Sequence, residues 1–293
     1  MSNSIQKFAN YIEQLDDVYK AASRTSILDT PNVAGMMTKA GVFKVPKMEM
    51  DGLGDYKRAN TGAGSGYASG NVTLDFEEKR ADYDRGRKFE VDSMDNEESA
   101  GIAFGMLSSE FIRTKSVPEL DAYRFAKYAG IAGTKVGASL SDGAAVISAL
   151  STAISSMKES EVDENGLYLF ITPTLNQMIK DLDSYKSKEA LSSFAQVVEV
   201  PQSRFYTAID LKDGKSEDEL AGGFAKASAG KDINFMIVSK SAVMQLTKHT
   251  VNKIFTPEEN QNSDGWIFCF RAYGLVDAYD NKKKGLYVHH KAS

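Results

Sequence analysis

Ile5, Phe8, Ile12, Leu15 and Tyr19 recur at helical spacing, with Tyr11 and Val18 beside the same stripe and Gln, Glu, Asp and Lys opposite. This pattern predicts an amphipathic helix at the start of the chain. Ser23 to Met36 has no period and carries the turn formers Asp29, Pro31, Asn32 and Gly35, which predicts an extended arm. Val42 to Met50 alternates, but Phe43 and Val45 are in one phase and Met48 and Met50 in the other, the break falling at Pro46 and Lys47. A bulge or bend in an edge strand is expected there. Val72, Leu74 and Phe76 then alternate with Thr73, Asp75 and Glu77, so a second strand with one apolar face follows. Between the two strands lie Gly62, Gly64, Gly66 and Gly70, giving a long hairpin with a flexible tip. A lone two-stranded ribbon is marginal in water, so this arm needs a partner surface.

Asp95 with Glu98 resembles a capping box, and Ala100, Ala103, Phe104, Leu107 and Phe111 recur at helical spacing to about Lys115. Ser116, Pro118 and Glu119 predict a second helix start, carried by Leu120, Tyr123, Phe125 and Tyr128 until Gly130 and Gly133. The helix is expected to be kinked or restarted there.

From Ser141 the pattern is mixed. Val146, Ile147, Leu150, Ile154 and Met157 form a helical stripe, and Leu167 to Ile171 is a buried strand. Thr172 and Pro173 open a helix through Leu175, Met178, Ile179 and Leu182. Strands are expected over Val197 to Val200, Phe205 to Ile209 and Ile233 to Val238, with a helix over Ser241 to His249 and a loop-rich excursion over residues 212–231. The tail alternates from Trp266 to Tyr273 and from Gly285 to His289, so it ends on strands, and no internal repeat is visible.

Composition narrows the function classes. The 293 residues carry a net charge of -5, which argues against a surface that condenses nucleic acid, though not against a container loaded by another machine. No apolar run approaches the roughly 20 residues of a spanning helix. The first residues lack a basic and apolar signal pattern, so the protein is expected to stay inside the cell that makes it. The single cysteine, Cys269, sits in an apolar run and is expected to be a packed thiol.

Candidate chemistry is sparse. The glycines from Gly62 to Gly70 lack G-x-G-x-x-G spacing, follow no apolar strand and precede a strand rather than a phosphate-holding helix, and no Walker lysine accompanies them. His289 and His290 are adjacent on an expected strand and point to opposite faces, so they do not share a metal; His249 is expected to end a helix. No G-x-S-x-G is present. The alternating charges of Asp75 to Asp95 fit an ion-pair surface better than acid and base catalysis. Lys282 to Lys284 is a charged turn, too short for nucleic acid. No catalytic, cofactor-binding or metal-ligating residue is expected.

The order of arm, hairpin, long helix, α/β segment and returning strands resembles the major capsid protein of tailed bacteriophages, the Hong Kong 97-type capsid fold. The resemblance is carried by Val117 to Ala129, Leu167 to Asp181, Val200 to Leu211 and Phe255 to Lys291. It implies an α+β fold with an N-terminal arm over residues 1–41, an extended hairpin loop over 42–92 with its tip at 60–70, a peripheral domain with a spine helix over 93–135 plus about 251–273, and an axial domain over 136–250 plus about 274–293. It implies an icosahedral head shell around double-stranded DNA, not an enzyme, located in the virion capsid and assembled in the bacterial cytoplasm. Implied partners are other copies in pentamers and hexamers, a separate scaffolding protein, a portal and a maturation protease, with no membrane and no sequence-specific DNA contact. Intersubunit contacts are expected at Lys57, Arg58, Leu74, Phe76, Arg85, Arg87, Glu258 and Glu259. Some members crosslink a loop lysine to an asparagine, for which Lys57 with Asn260 or Asn262 are the positional candidates. Two other readings are a cargo-loading bacterial nanocompartment shell of the same fold, and a nucleotide- or sugar-processing α/β enzyme built on Ser141 to Val238.

Overall fold

The computed structural model describes residues 23–30, 37–39, 42–56, 58, 66–94, 102–163, 165–182 and 185–292. The expected N-terminal helix, the Asp95 and Glu98 cap, Lys57 and the glycines at 62 and 64 lie outside them. The strands are β1 (Met37–Lys39), β2 (Val42–Met50), β3 (Val72–Arg80), β4 (Tyr83–Asp92), β5 (Thr134–Gly137), β6 (Leu167–Ile171), β7 (Gln196–Glu199), β8 (Ile209–Leu211), β9 (Phe224–Lys226), β10 (Ile233–Ser239), β11 (Val243–Phe255), β12 (Gly265–Ala278) and β13 (Leu286–His290). The helices are α1 (Ile102–Phe111), α2 (Val117–Ile131), α3 (Gly143–Glu159), α4 (Pro173–Asp181) and α5 (Tyr185–Ser192).

β2 and β3 form the hairpin, with the short β1 beside the start of β2. β4 leaves the hairpin to join β12, giving a three-stranded antiparallel sheet in the order β11-β12-β4. A mixed five-stranded sheet runs β5-β13-β10-β6-β7, with β5 and β7 parallel to their neighbours.

The inner strands β6, β10 and β13 of the five-stranded sheet are buried on both faces because both are covered. Leu169, Ile171, Phe235, Ile237 and Tyr287 meet the Val146, Leu150, Ala153 and Met157 stripe of α3. Phe170, Met236, Val238, Leu286 and Val288 face the other way, into the core that contains α2 and β12. Phe125 of α2 joins these layers, its ring 5.2 Å from Phe170 and 4.8 Å from Phe205, both edge to face.

α1 and α2 are one continuous helical run joined by a π turn at Ile112–Ser116. Ser116 is helical and caps nothing, so of the expected kink or restart the restart is excluded. Pro118 lacks the N–H that would bond back toward Thr114, and a widened turn accommodates that loss without breaking the helix. The run ends at Ile131, where Gly133 donates to the Lys283 carbonyl at 2.9 Å. A Cβ at Gly133 would stand 2.7 Å from that oxygen, so the close approach requires glycine.

Three further expectations are corrected. Residues 243–255 form β11, not a helix ending at His249. Val243, Thr247, Thr250, Val251 and Ile254 are β-branched, and pairing with β12 from Val243 to Phe255 decides the element. Phe205 to Ile209 is not a strand. Phe205 closes a 3-10 turn at Gln202–Arg204 with its ring against Phe125, Tyr206 makes only an isolated antiparallel bridge to Asp232, and the next strand begins at Ile209. The phase break at Pro46 involves no bulge, since β2 and β3 stay in register from Val42–Arg80 to Met50–Val72.

A polar strap fastens residues 23–30 to α2. Asp121, fully buried, accepts five hydrogen bonds: from Ser23 Oγ, Thr25 Oγ1 and Thr25 N at Oδ1, and from Arg24 N and Arg204 Nη1 at Oδ2. Arg124 donates to Thr25 Oγ1 at 2.8 Å and Thr247 Oγ1 at 3.1 Å. Gln245 accepts from the Tyr128 hydroxyl at 2.8 Å and donates to the Thr25 carbonyl at 2.7 Å. Leu28 is buried in the main core beyond this network.

Removing a buried partner of such a network leaves uncompensated polar groups, so Asp121→Ala is expected to destabilise the subunit by about 3–5 kcal/mol. Urea unfolding of the soluble subunit measures it; a change within about 1 kcal/mol would show the strap to be dispensable. His289 offers a pH test. It is 2 % exposed, stacked on Phe235, with Nδ1 accepting from Asn234 Nδ2 at 3.0 Å. Burial, then the charge of His290, pushes its pKa down to about 4. The folded state thus binds fewer protons than the unfolded state, and stability present above pH ~6.5 is lost as the pH falls toward 4, at up to about 1.4 kcal/mol per pH unit. His289→Gln is expected to flatten that slope in unfolding curves taken between those pH values.

Candidate assembly surfaces

The hairpin uses opposite faces at its two ends. Near its base Phe43 and Val45, with their cross-strand partners Lys79 and Glu77, face β11 and β12, where Phe43 and Val45 pack on Met244 and Leu275. Farther out the apolar residues lie on the other face: Pro46 opposite Phe76, Met48 opposite Leu74, and Met50 opposite Val72. Met48 and Leu74 are each 56 % exposed and Phe76 52 %. The switch of phase at Pro46 therefore marks the point where the ribbon stops burying one face in its own subunit and presents the other outward. Single exposed apolar residues are ordinary, but a contiguous strip of them marks an interaction surface.

A charge cluster holds the base. Lys79 is buried and reaches Asp280 at 3.0 Å, Glu77 at 3.6 Å and Asp277 at 3.8 Å. Burial pulls the lysine pKa down, but the Asp280 hydrogen bond and the carboxylate charges outweigh it and hold it above its usual value. Asp280, hydrogen-bonded by Lys283 and Lys79, is held down to about 2. The ribbon is thus clamped at its root by a charged group that remains ionised at neutral pH.

A cleft of about 750 Å³ opens between β4, the α1–α2 run and the excursion after β8. Phe89, Leu107, Phe111, Phe224 and Phe270 line it. Arg85 pairs with Glu119 at 2.7 Å, and Arg87 donates to the Leu220 carbonyl at 2.9 Å and the Gly214 carbonyl at 3.5 Å. Gly214 and Gly222 adopt positive φ, and a Cβ on Gly214 would stand 2.7 Å from Arg87 Nη1, so the loop closes around the guanidinium because those positions are glycine. Asp213, bonded by Ser216 and two backbone N–H groups, is held down to about 2.

The structure distributes the sequence-derived contact residues unequally. Leu74 and Phe76 share the outward face of the ribbon with Met48 and Met50, and Arg58 lies exposed near its tip. Arg85 and Arg87 are engaged within the chain, as wall posts of the cleft. Glu258 and Glu259 are exposed on the β11–β12 turn, where Glu259 accepts from Thr256 N at 3.2 Å. In that turn the Asn260 amide is used locally, donating to Ser263 Oγ at 2.8 Å and the Gly265 carbonyl at 3.0 Å, while Asn262 lies exposed. The cleft was not legible in the sequence, because its floor joins residues from β4, α1, β9 and β12. The one local signal was the glycine content of the excursion.

No protein-family model matches the chain, and no curated protein sequence does. Solved structures do. A chain of Mycobacterium phage Adephagia superposes with a TM-score of 0.62 at 10% identity, over 93% of this chain and 91% of that one. The virus-like particle from Pyrococcus furiosus gives 0.58 at 10% identity over 97% and 99% of the two chains, and the capsid of Staphylococcus phage Andhra 0.59 at 10% over 93% and 85%. Hairpin, long helical run and two sheets are combined here in an α+β architecture, and the chain has the phage capsid-protein fold, of the Hong Kong 97 type.

Proposed function

We propose that this chain is the major capsid protein of a tailed bacteriophage, a structural protein that assembles into the icosahedral head shell around double-stranded DNA. The observation that carries it is the outward apolar strip of the hairpin, on a capsid fold, with no described residue of its own chain covering it. Such a strip is costly for a free subunit and useful to one that closes a symmetric shell, where repeated modest interfaces add up. Leu74, Phe76 and Arg58 on the ribbon, and Glu258 and Glu259 on the β11–β12 turn, are the proposed intersubunit contacts. Residues 42–80 act as the extended arm, the β11-β12-β4 sheet with the α1–α2 run as the peripheral part, and the five-stranded sheet with its helices as the axial part. Copies associate in pentamers and hexamers, with a separate scaffolding protein, a portal and a maturation protease as partners in the bacterial cytoplasm. An acidic wall does not compete with a motor for the DNA it encloses.

The other reading, a cargo-loading nanocompartment shell of the same fold, is not favoured by the neighbours, which are mostly phage capsids. Co-purification with an enzyme rather than with portal and tail proteins would decide for it.

Sedimentation and negative-stain microscopy of the expressed chain, with and without its scaffold, test the shell reading: capsomers or hollow shells are expected, and a monomer under all conditions would refute it. Leu74→Asp with Phe76→Asp is expected to leave the melting temperature of the soluble subunit within about 2 °C, since both side chains are exposed, while lowering shell yield at least roughly tenfold. Normal shell yield from this double variant would remove the ribbon face from the interface.

A further inference from the structure

We infer that the cleft between β4, the α1–α2 run and the excursion is a binding site for a small amphipathic anion, a ligand with an aliphatic body and one carboxylate or phosphate head. This goes beyond the shell reading and does not rest on it, since the site is built within a single subunit.

Size and floor define the body of the ligand. At about 750 Å³ the cleft falls in the range of small-molecule sites, which are concave, mostly apolar and carry a few placed polar groups. Phe111 packs edge to face on Phe89 and on Phe270, with ring centroids 4.8 Å and 5.6 Å apart, and these rings form the floor. Leu107 of α1 and Phe224 of β9 extend the apolar surface. Phe89, Leu107, Phe111 and Phe224 all stay partly exposed, so the described residues leave apolar area that an aliphatic body would remove from water. The far wall is already fixed by Arg87 holding the excursion, so little of the site has to be ordered when a ligand enters.

Charge defines the head. The acidic residues of the lining are engaged: Glu119 by Arg85 and Glu110 by Arg113, each at 2.7 Å, and Asp213 by Ser216 Oγ and by the backbone N–H groups of Lys215 and Ser216. The cations are not matched in the same way. Arg87 donates to the carbonyls of Leu220 and Gly214, which carry no net charge, and Lys115 and Lys212 have no ion-pair partner among the described residues. Lys115 stands on the helical run and Lys212 at the root of the excursion, so an anionic head meets cations from two walls. A neutral head would forgo that attraction, and a cationic one would be repelled.

Calorimetric titration of the soluble full-length subunit with dodecanoate, below its micellar concentration, tests the site. One site per subunit is expected, with a Kd of about 10–100 μM for a ligand of this size. At ten times Kd the melting temperature should rise by about 2 °C. Dodecanol, with the same body and no charge, is expected to bind at least roughly fivefold more weakly, and Lys115→Glu with Lys212→Glu to weaken dodecanoate at least roughly tenfold. Dodecyl phosphate in place of dodecanoate identifies the preferred head by the tighter of the two. Thr114→Trp places a bulky ring in the cleft from an exposed position of its lining and is expected to abolish binding, with melting curves of each variant verifying the fold. Absence of saturable binding would overturn the site, as when the cleft is filled by another segment or copy of the chain. Equal affinity for dodecanol would overturn the anionic head. Binding kept in Thr114→Trp but lost in Leu74→Asp with Phe76→Asp would move the ligand to the ribbon strip and overturn the site as well. None of these results bears on whether the chain forms shells.

Discussion

A buried carboxylate on a helix enclosed on nearly all sides is the constraint on which the rest of the molecule depends. α2 carries Asp121, Arg124 and Tyr128 into the interior together with Leu120 and Phe125. Apolar packing alone does not permit that, since an unpaired buried charge costs several kcal/mol. The helix is tolerable there because the 23–30 strap, Arg204 and Gln245 converge on it from distant parts of the chain. Those same bonds fix where the N-terminal segment leaves the body, and they tie the start of β11 to α2. Phe125 then stacks the five-stranded sheet on the other side. Both sheets are oriented by one helix, so the position of the hairpin, which roots on β11 and β12, follows from it.

The hairpin applies the same logic in reverse. Its base is sealed by Phe43, Val45 and the Lys79 cluster, and its outer half turns its apolar strip away from that seal. A ribbon held rigidly at its root and apolar at its reach delivers its contact surface at a set distance from the subunit. A loose one would lose more conformational entropy on association. In the proposed shell, the clamp and the strip serve one function, the presentation of an interface outside the subunit.

Much of this was legible beforehand for identifiable reasons. The α3 stripe, the Leu167–Ile171 strand and the hairpin alternation are local patterns, and each reappears as an element. Even the phase break at Pro46 was visible as sequence, but its cause was not. A bulge and a change of partner face produce the same alternation, and only the register separates them. β11 was misread as a helix over Ser241 to His249 because the pairing that decides for a strand comes from β12, some twenty residues later. That Leu74 and Phe76 share one face of the ribbon was legible because strand parity is periodic. The cleft was missed because its floor is drawn from four elements far apart in sequence.

What the sequence by itself determined is that the α3 segment is helix and the hairpin is ribbon, which face of each is apolar, and that the hairpin needs something beyond itself. These follow from periodicities of a few residues. Only the tertiary structure decided which apolar faces find a partner at home: α2 is enclosed, the base of the ribbon is sealed, and its outer strip and the aromatic cleft are left open by the described residues. Coverage is a relation between segments distant along the chain, and no local pattern encodes which of two equally apolar faces another element will reach first.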